Sequence, residues 1–256
     1  MAMKKITVRQ FKNLEQASIA VVEQVVNCAR SAVSEKDFCT IVLAGGKTPR
    51  HAYAILSEPS SADQMPWQQS HFFWGDERWL ASKHQDSNFS MAWNALFSKI
   101  HIPPRNIHQI STGHKAPEIG AEIYEKHLRD FFHSKPLTET FRISEEINFP
   151  RFDFVLLGMG PDGHTASLFP NSNFLEEKKK WVAAVKEETG SPPVPRITLT
   201  LPVLNQAKNI LFLLSGSTKR KILDTILEKP EMAEKLYPAA HVKPRGSLTW
   251  IVAEKD

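Results

Sequence analysis

Apolar residues in this chain fall into two kinds of run. Short continuous runs end at glycine or a polar turn: Phe38–Leu43 before Gly45-Gly46, His71–Trp74 before Gly75-Asp76, Phe152–Leu157 before Gly158, and Ile210–Leu214 before Ser215-Gly216. Trp181–Val185 is similar. Such runs predict strands buried on both faces, the mark of a parallel sheet. Between them, apolar positions recur at helical spacing. Leu14–Ala32 sets Ala17, Ala20, Val21, Val25 and Cys28 on one face. Pro49–Leu56, Ser87–Phe97, Glu118–Phe132 and Lys219–Leu227 predict further helices. Pro49 suits a first helical turn and Ser87 an N-cap. The alternation predicts an α/β fold: a doubly wound, mostly parallel sheet flanked by helices on both faces. Ser134–Pro150 has a turn-rich start but no clean boundary, so residues 1–256 read as a single domain.

The 256 residues are 41% hydrophobic and 23% charged, a globular balance. The net charge of +4 is not gathered into a basic block. Lys178-Lys179-Lys180 follows Glu176-Glu177 and reads as solvated surface, so no nucleic-acid partner is expected. A mild positive excess suits a small anionic substrate. Cys28 and Cys39 lack metal or redox spacing and are expected as buried free thiols of a reducing compartment. The N-terminus has no apolar signal region and no stretch reaches membrane-spanning length, so a cytoplasmic protein without a membrane partner is expected.

In open α/β sheets, ligands bind beyond the carboxyl ends of the strands. Four such ends carry chemistry here. In Gly45-Gly46-Lys47-Thr48-Pro49, two glycines let backbone N–H groups approach a phosphate and the next helix adds its positive end. A nucleotide-triphosphatase loop would need glycine where Ile41 stands. A bare glycine turn remains the alternative. In Trp74-Gly75-Asp76-Glu77-Arg78-Trp79, three charges follow an apolar strand. A functional cluster competes there with a surface ion pair of Asp76 or Glu77 with Arg78. Ser87-Asn88, just beyond, supplies a cap and polar ligands.

The third end, Gly158-Met159-Gly160-Pro161-Asp162-Gly163-His164, formally contains GxGxxG, and Glu187 lies where a ribose-binding acid would. Asp162 would repel pyrophosphate, and Pro170 cuts short the next helix, which argues against a dinucleotide. Asp162 and His164 make better sense as a proton-handling pair, the carboxylate holding a histidine that deprotonates water. The fourth end is split: Arg196 opens a strand-like run and Lys219 follows a strand, both suitable phosphate ligands.

Together GGKTP, GDERW, SNFSMA, GMGPDGHTASLFP, PRITLTLPVLN and PRGSLTWIV, in that order, resemble the 6-phosphogluconolactonase family, from about Ile6 to Val252. The resemblance implies a sugar-phosphate isomerase-like α/β fold and hydrolysis of a phosphorylated sugar lactone, without metal or organic cofactor, by a monomer or homodimer. It implies that His164 is the general base, that Asp162 orients it, and that Arg78 lies near the lactone carbonyl. Gly45, Gly46 and Thr48, with Arg196 and Lys219, would hold the phosphate; Asp76 and Asn88 complete the substrate-binding set. Two positions depart from the pattern: Lys47, where a small hydroxyl residue is common, and Ala253, where an acid is common. Lys47 is counted with the phosphate ligands. The nearest rival is a glucosamine-6-phosphate deaminase or aldose–ketose isomerase, whose pattern carries a glutamate where Phe169 stands. A non-catalytic sugar-phosphate sensor is the rival from another class.

Overall fold

The computed structural model describes residues 6–135, 140–142, 148–186 and 190–255. Glu187 lies outside them. Strands in chain order are β1 (Ile6–Phe11), β2 (Cys39–Leu43), β3 (Ser70–Trp74), β4 (Asp76–Arg78), β5 (Ile107–His108), β6 (Thr140–Arg142), β7 (Asn148–Pro150), β8 (Phe154–Leu157), β9 (Val182–Val185), β10 (Arg196–Leu199), β11 (Asn209–Ser215) and β12 (Ser247–Ala253). Helices are α1 (Leu14–Lys36), α2 (Lys47–Leu56), α3 (Pro59–Ala62), α4 (Asn88–Ala95), α5 (Pro117–His133), α6 (Leu201–Leu204), α7 (Ser217–Glu228) and α8 (Pro230–Leu236).

Seven strands form one sheet in the order β1-β12-β11-β8-β2-β3-β5, every neighbouring pair parallel. All five residues of β2 are buried. Since successive side chains point to opposite faces, both faces are covered there. This is the doubly wound α/β architecture expected from the alternation. From the adjacent strands β2 and β8, the chain leaves in opposite directions, to β3 and to β11. That divergence opens a crevice at the strands' carboxyl ends.

One expectation needs correction. Trp181–Val185 was grouped with the parallel strands, but β9 belongs to a three-stranded antiparallel sheet, β4-β10-β9. Its apolar run reflects burial, with α5 packed against it, and burial does not encode strand direction. β1 and β12 carried no expectation. β1 alternates between exposed and half-buried positions, as an edge strand does.

The helices fall where expected, with shifted ends. Ser87 caps α4, its side chain accepting from the Ser90 N–H. Helix α1 runs four residues beyond Ala32 and stops at Asp37, whose φ of 64° is left-handed. Lys178–Lys180 are exposed, their backbone N–H groups bound by one oxygen of Glu177. Both cysteines are free thiols; Cys39 is buried, but Cys28 is only half-buried. Among the described residues, no helix is long and apolar enough to cross a membrane.

Candidate active site

The loop after β2 is clamped at its start: the Ala44 N–H donates to the Tyr53 hydroxyl at 2.9 Å, and that hydroxyl donates to the Ala44 carbonyl at 2.8 Å. Gly45 has no room for a side chain, because a Cβ there would lie 1.9 Å from Asn88 Oδ1. Gly46 takes φ 105°, which glycine adopts without strain. No side chain caps α2, so its first N–H groups, with Lys47 and Thr48, face the crevice. Across from it, α7 starts after Gly216 without a side-chain cap and carries Lys219 in its first turn. Lys47, Thr48 and Lys219 also line a second hollow beside the cleft. Uncapped N–H groups, two helix dipoles and two ammonium groups make this end of the cleft suited to a phosphate.

The loop after β8 folds back on itself. The Gly160 N–H donates to the His164 carbonyl at 2.8 Å, and the Gly163 N–H to the Gly160 carbonyl at 3.1 Å. His164 Nδ1 lies 2.6 Å from Asp162 Oδ1. A carboxylate only accepts, so Nδ1 carries the proton and Nε2 is the basic nitrogen. Burial pushes the Asp162 carboxyl up, but its hydrogen bond and charge interaction with His164 outweigh this and hold it below the ordinary carboxylate range. Gly160 makes this geometry possible, since a Cβ there would lie 2.2 Å from His164 Nδ1. Phe169 packs on the imidazole at 4.6 Å between centroids, and the Arg196 guanidinium lies 5.5 Å from the Phe169 ring centroid.

Strand β4 forms the wall between these loops, paired with β10 so that Arg78 faces Arg196 and Asp76 faces Thr198. Asp76 is 6% exposed and is held by the Ser167 hydroxyl at 2.7 Å and Asn88 Nδ2 at 3.1 Å, with Arg196 Nη1 at 4.0 Å. Arg78 sends Nη1 to the Asp86 carbonyl at 2.7 Å. The Nε groups of Arg78 and Arg196 are buried donors without a hydrogen-bond partner among the described residues. Unpaired buried donors are costly, at about 1–3 kcal/mol each, and both arginines line the cleft.

A cleft of about 170 Å³ brings together nine of the expected residues: Gly45, Gly46, Lys47, Thr48, Asp76, Arg78, His164, Arg196 and Lys219. Asp162 reaches it only through His164. Asn88 does not line it; its amide is used on the Asp76 carbonyl and carboxylate. The alternative of a surface ion pair between Arg78 and Glu77 is not what forms, for Glu77 is buried and binds the Arg78 backbone N–H. Burial pushes the Glu77 carboxyl up to about 7 against the pull of three backbone N–H groups. Glu77 and Ser167 were not among the expected site residues. Glu77 stood inside the charged GDERW loop, but nothing in sequence linked Ser167 to Asp76.

The family described as glucosamine-6-phosphate isomerases/6-phosphogluconolactonase matches residues 12–250. A Synechocystis protein named 6-phosphogluconolactonase is 36% identical over 242 residues, covering 94% of this chain and 91% of that protein. The structure of 6-phosphogluconolactonase from Thermotoga maritima superposes with a TM-score of 0.80 at 32% identity, covering 98% of this chain and 100% of the other. That of the Trypanosoma brucei enzyme gives 0.84 at 29% identity, covering 98% and 97%. The motifs, the sheet order and these likenesses agree: the chain belongs to the glucosamine-6-phosphate isomerase/6-phosphogluconolactonase family.

Proposed function

We propose that the chain is a 6-phosphogluconolactonase, a carboxylic ester hydrolase of the oxidative pentose phosphate pathway. It opens 6-phospho-D-glucono-1,5-lactone with water to give 6-phospho-D-gluconate. The observation that carries this reading is the Asp162–His164 pair, 2.6 Å apart, at a cleft that also holds Lys47, Arg196 and Lys219. His164 Nε2 takes a proton from water as its oxygen bonds to the lactone carbonyl carbon. The Arg78 guanidinium stabilises the oxyanion that forms, a contribution of order 10²–10³-fold for such a donor. The intermediate collapses, the ring ester bond breaks, and His164 returns its proton to the leaving ring oxygen. The Gly45–Thr48 loop, Arg196 and Lys219 hold the phosphate, and this remote binding energy fixes the carbonyl against His164. Lys47 adds a charge to that grip, while Asp76, steadied by Asn88, binds the sugar.

Phe169 favours the lactonase over a ring-opening isomerase, because it fills the place beside His164 where an acid would have to stand. We further read residues 1–256 as one catalytic domain, cytoplasmic and acting as monomer or homodimer. It uses no cofactor and has no nucleic-acid or membrane partner. Proton release from fresh 6-phosphogluconolactone at mildly acidic pH, where spontaneous opening is slow, tests the reading. The wild type should hydrolyse fast and His164→Ala should lose at least about a hundredfold in kcat. A wild type that leaves the spontaneous rate unchanged refutes it.

A further inference from the structure

Glu77 has no part in the steps above, yet it presents a buried carboxylate, 2% exposed, one residue from Arg78. Each of its oxygens accepts two hydrogen bonds. Oε1 takes the Arg78 N–H at 2.8 Å and the Asn88 N–H at 2.7 Å. Oε2 takes the Phe89 N–H at 2.8 Å and the Ser87 hydroxyl at 3.1 Å. Capping a helix start takes only one or two such bonds. Here all four donors converge on one carboxylate, so its acceptor capacity is filled.

These bonds fold the segment from Arg78 to Phe89 back onto its own beginning. The tip of Arg78 is fastened within that segment, at the Asp86 carbonyl. Glu77 therefore holds both ends of one arginine: the backbone from which the side chain leaves, and the turn that receives its guanidinium. The same turn presents Asn88 to Asp76. We infer that Glu77 is a positioning residue, whose carboxylate aims the Arg78 guanidinium at the reacting carbonyl through the Arg78 N–H and the Ser87–Phe89 turn. The inference rests on the lactonase reading and on the place that reading gives Arg78.

Glu77→Gln keeps the shape but turns an amide N–H toward groups that donate. kcat should fall about a hundredfold, the loss that a displacement of roughly 1 Å brings to a reacting geometry. KM should rise by no more than about tenfold, because Lys47, Arg196 and Lys219 sit on other elements and only Asp76, through Asn88, is braced by this turn. In an Arg78→Ala background the same change should cost no more than about twofold further, since residues acting as one unit are not additive. Losses that multiply, or a wild-type kcat in Glu77→Gln, overturn the inference.

A second reading needs no turnover. In nitrogen-15-labelled protein with 6-phosphogluconate, the Arg78 Nε–H signal is identified by its absence from Arg78→Ala. It should move toward the free-arginine position in Glu77→Gln; an unmoved signal overturns the inference. If the wild type fails to hydrolyse the lactone, the lactonase reading falls, and the arginine signal still decides the role of Glu77. If Glu77→Gln does not fold, Glu77→Asp replaces it in both measurements. That variant keeps the charge but withdraws it by one methylene, and the same loss and non-additivity are expected.

Discussion

Replacing Gly160 by alanine places a methyl group where the His164 ring now lies. The added Cβ would stand 2.2 Å from both Cε1 and Nδ1 of the imidazole, and 2.6 Å from Asp162 Oδ1. Ordinary contacts of this kind begin near 3.4 Å. The ring or the loop must therefore shift by about 1.2 Å, the difference between contact and clash, a scale at which misplaced groups cost on the order of a hundredfold. Gly160 is not among the glycines with positive φ, so alanine itself strains no backbone. Phe169 packs against the imidazole, 4.6 Å between centroids, and limits where it can go. The predicted result is a kcat at least about a hundredfold lower, close to 2.7 kcal/mol of transition-state stabilisation. KM should stay within about threefold and the melting temperature within a few degrees. Proton release from the lactone gives the kinetics, and thermal unfolding gives the control. A Gly160→Ala protein within about tenfold of wild-type kcat would refute the placement of His164 as the base.

Two further outcomes follow from charges elsewhere. Lys219→Gln should raise KM about tenfold with little change in kcat, measured with the same assay, because it removes one phosphate charge and touches nothing at the carbonyl. At the sheet edge, His108 is 8% exposed, stacked on Phe73, and bonded to His71 at 3.0 Å and His127 at 2.7 Å. Burial, with His127 and His71 beside it, lowers its pKa from 6.5 to about 3. The unfolded chain takes up a proton near 6.5 that the folded chain refuses, so stability is full above that pH and falls below it. At pH 5.5 the loss from this ring is about 1 kcal/mol. From pH 7.5 to 5.5 the unfolding free energy measured in urea should fall less for His108→Gln than for wild type by that amount, and an equal fall would contradict it.

Much of the architecture was legible in local pattern. Apolar runs ending in glycine marked β2, β3, β8 and β11, helical spacing marked α1, α2, α4, α5 and α7, and their alternation implied the doubly wound sheet. The Gly45–Thr48 and Asp162–His164 loops stood out too, because in an open α/β sheet the carboxyl ends of the strands face the ligand crevice, so polar residues there are candidates for more than a turn. Direction and partnership were not. The Trp181–Val185 run reads alike in a parallel or an antiparallel sheet, since burial on two faces selects side chains and not hydrogen-bond polarity. Neither Asn88 nor Glu77 lines the cleft. The amide expected as a substrate ligand braces Asp76, and the glutamate of the charged loop, open in sequence to a functional cluster or a surface pair, binds the Ser87–Phe89 turn. A carboxylate's role is set by the donors that surround it, and those donors arrive only when the chain folds back. Sequence thus decided which groups were available at each strand end; tertiary structure decided which faced the cleft and which stood behind it, because the distances between them span loops that no local propensity controls.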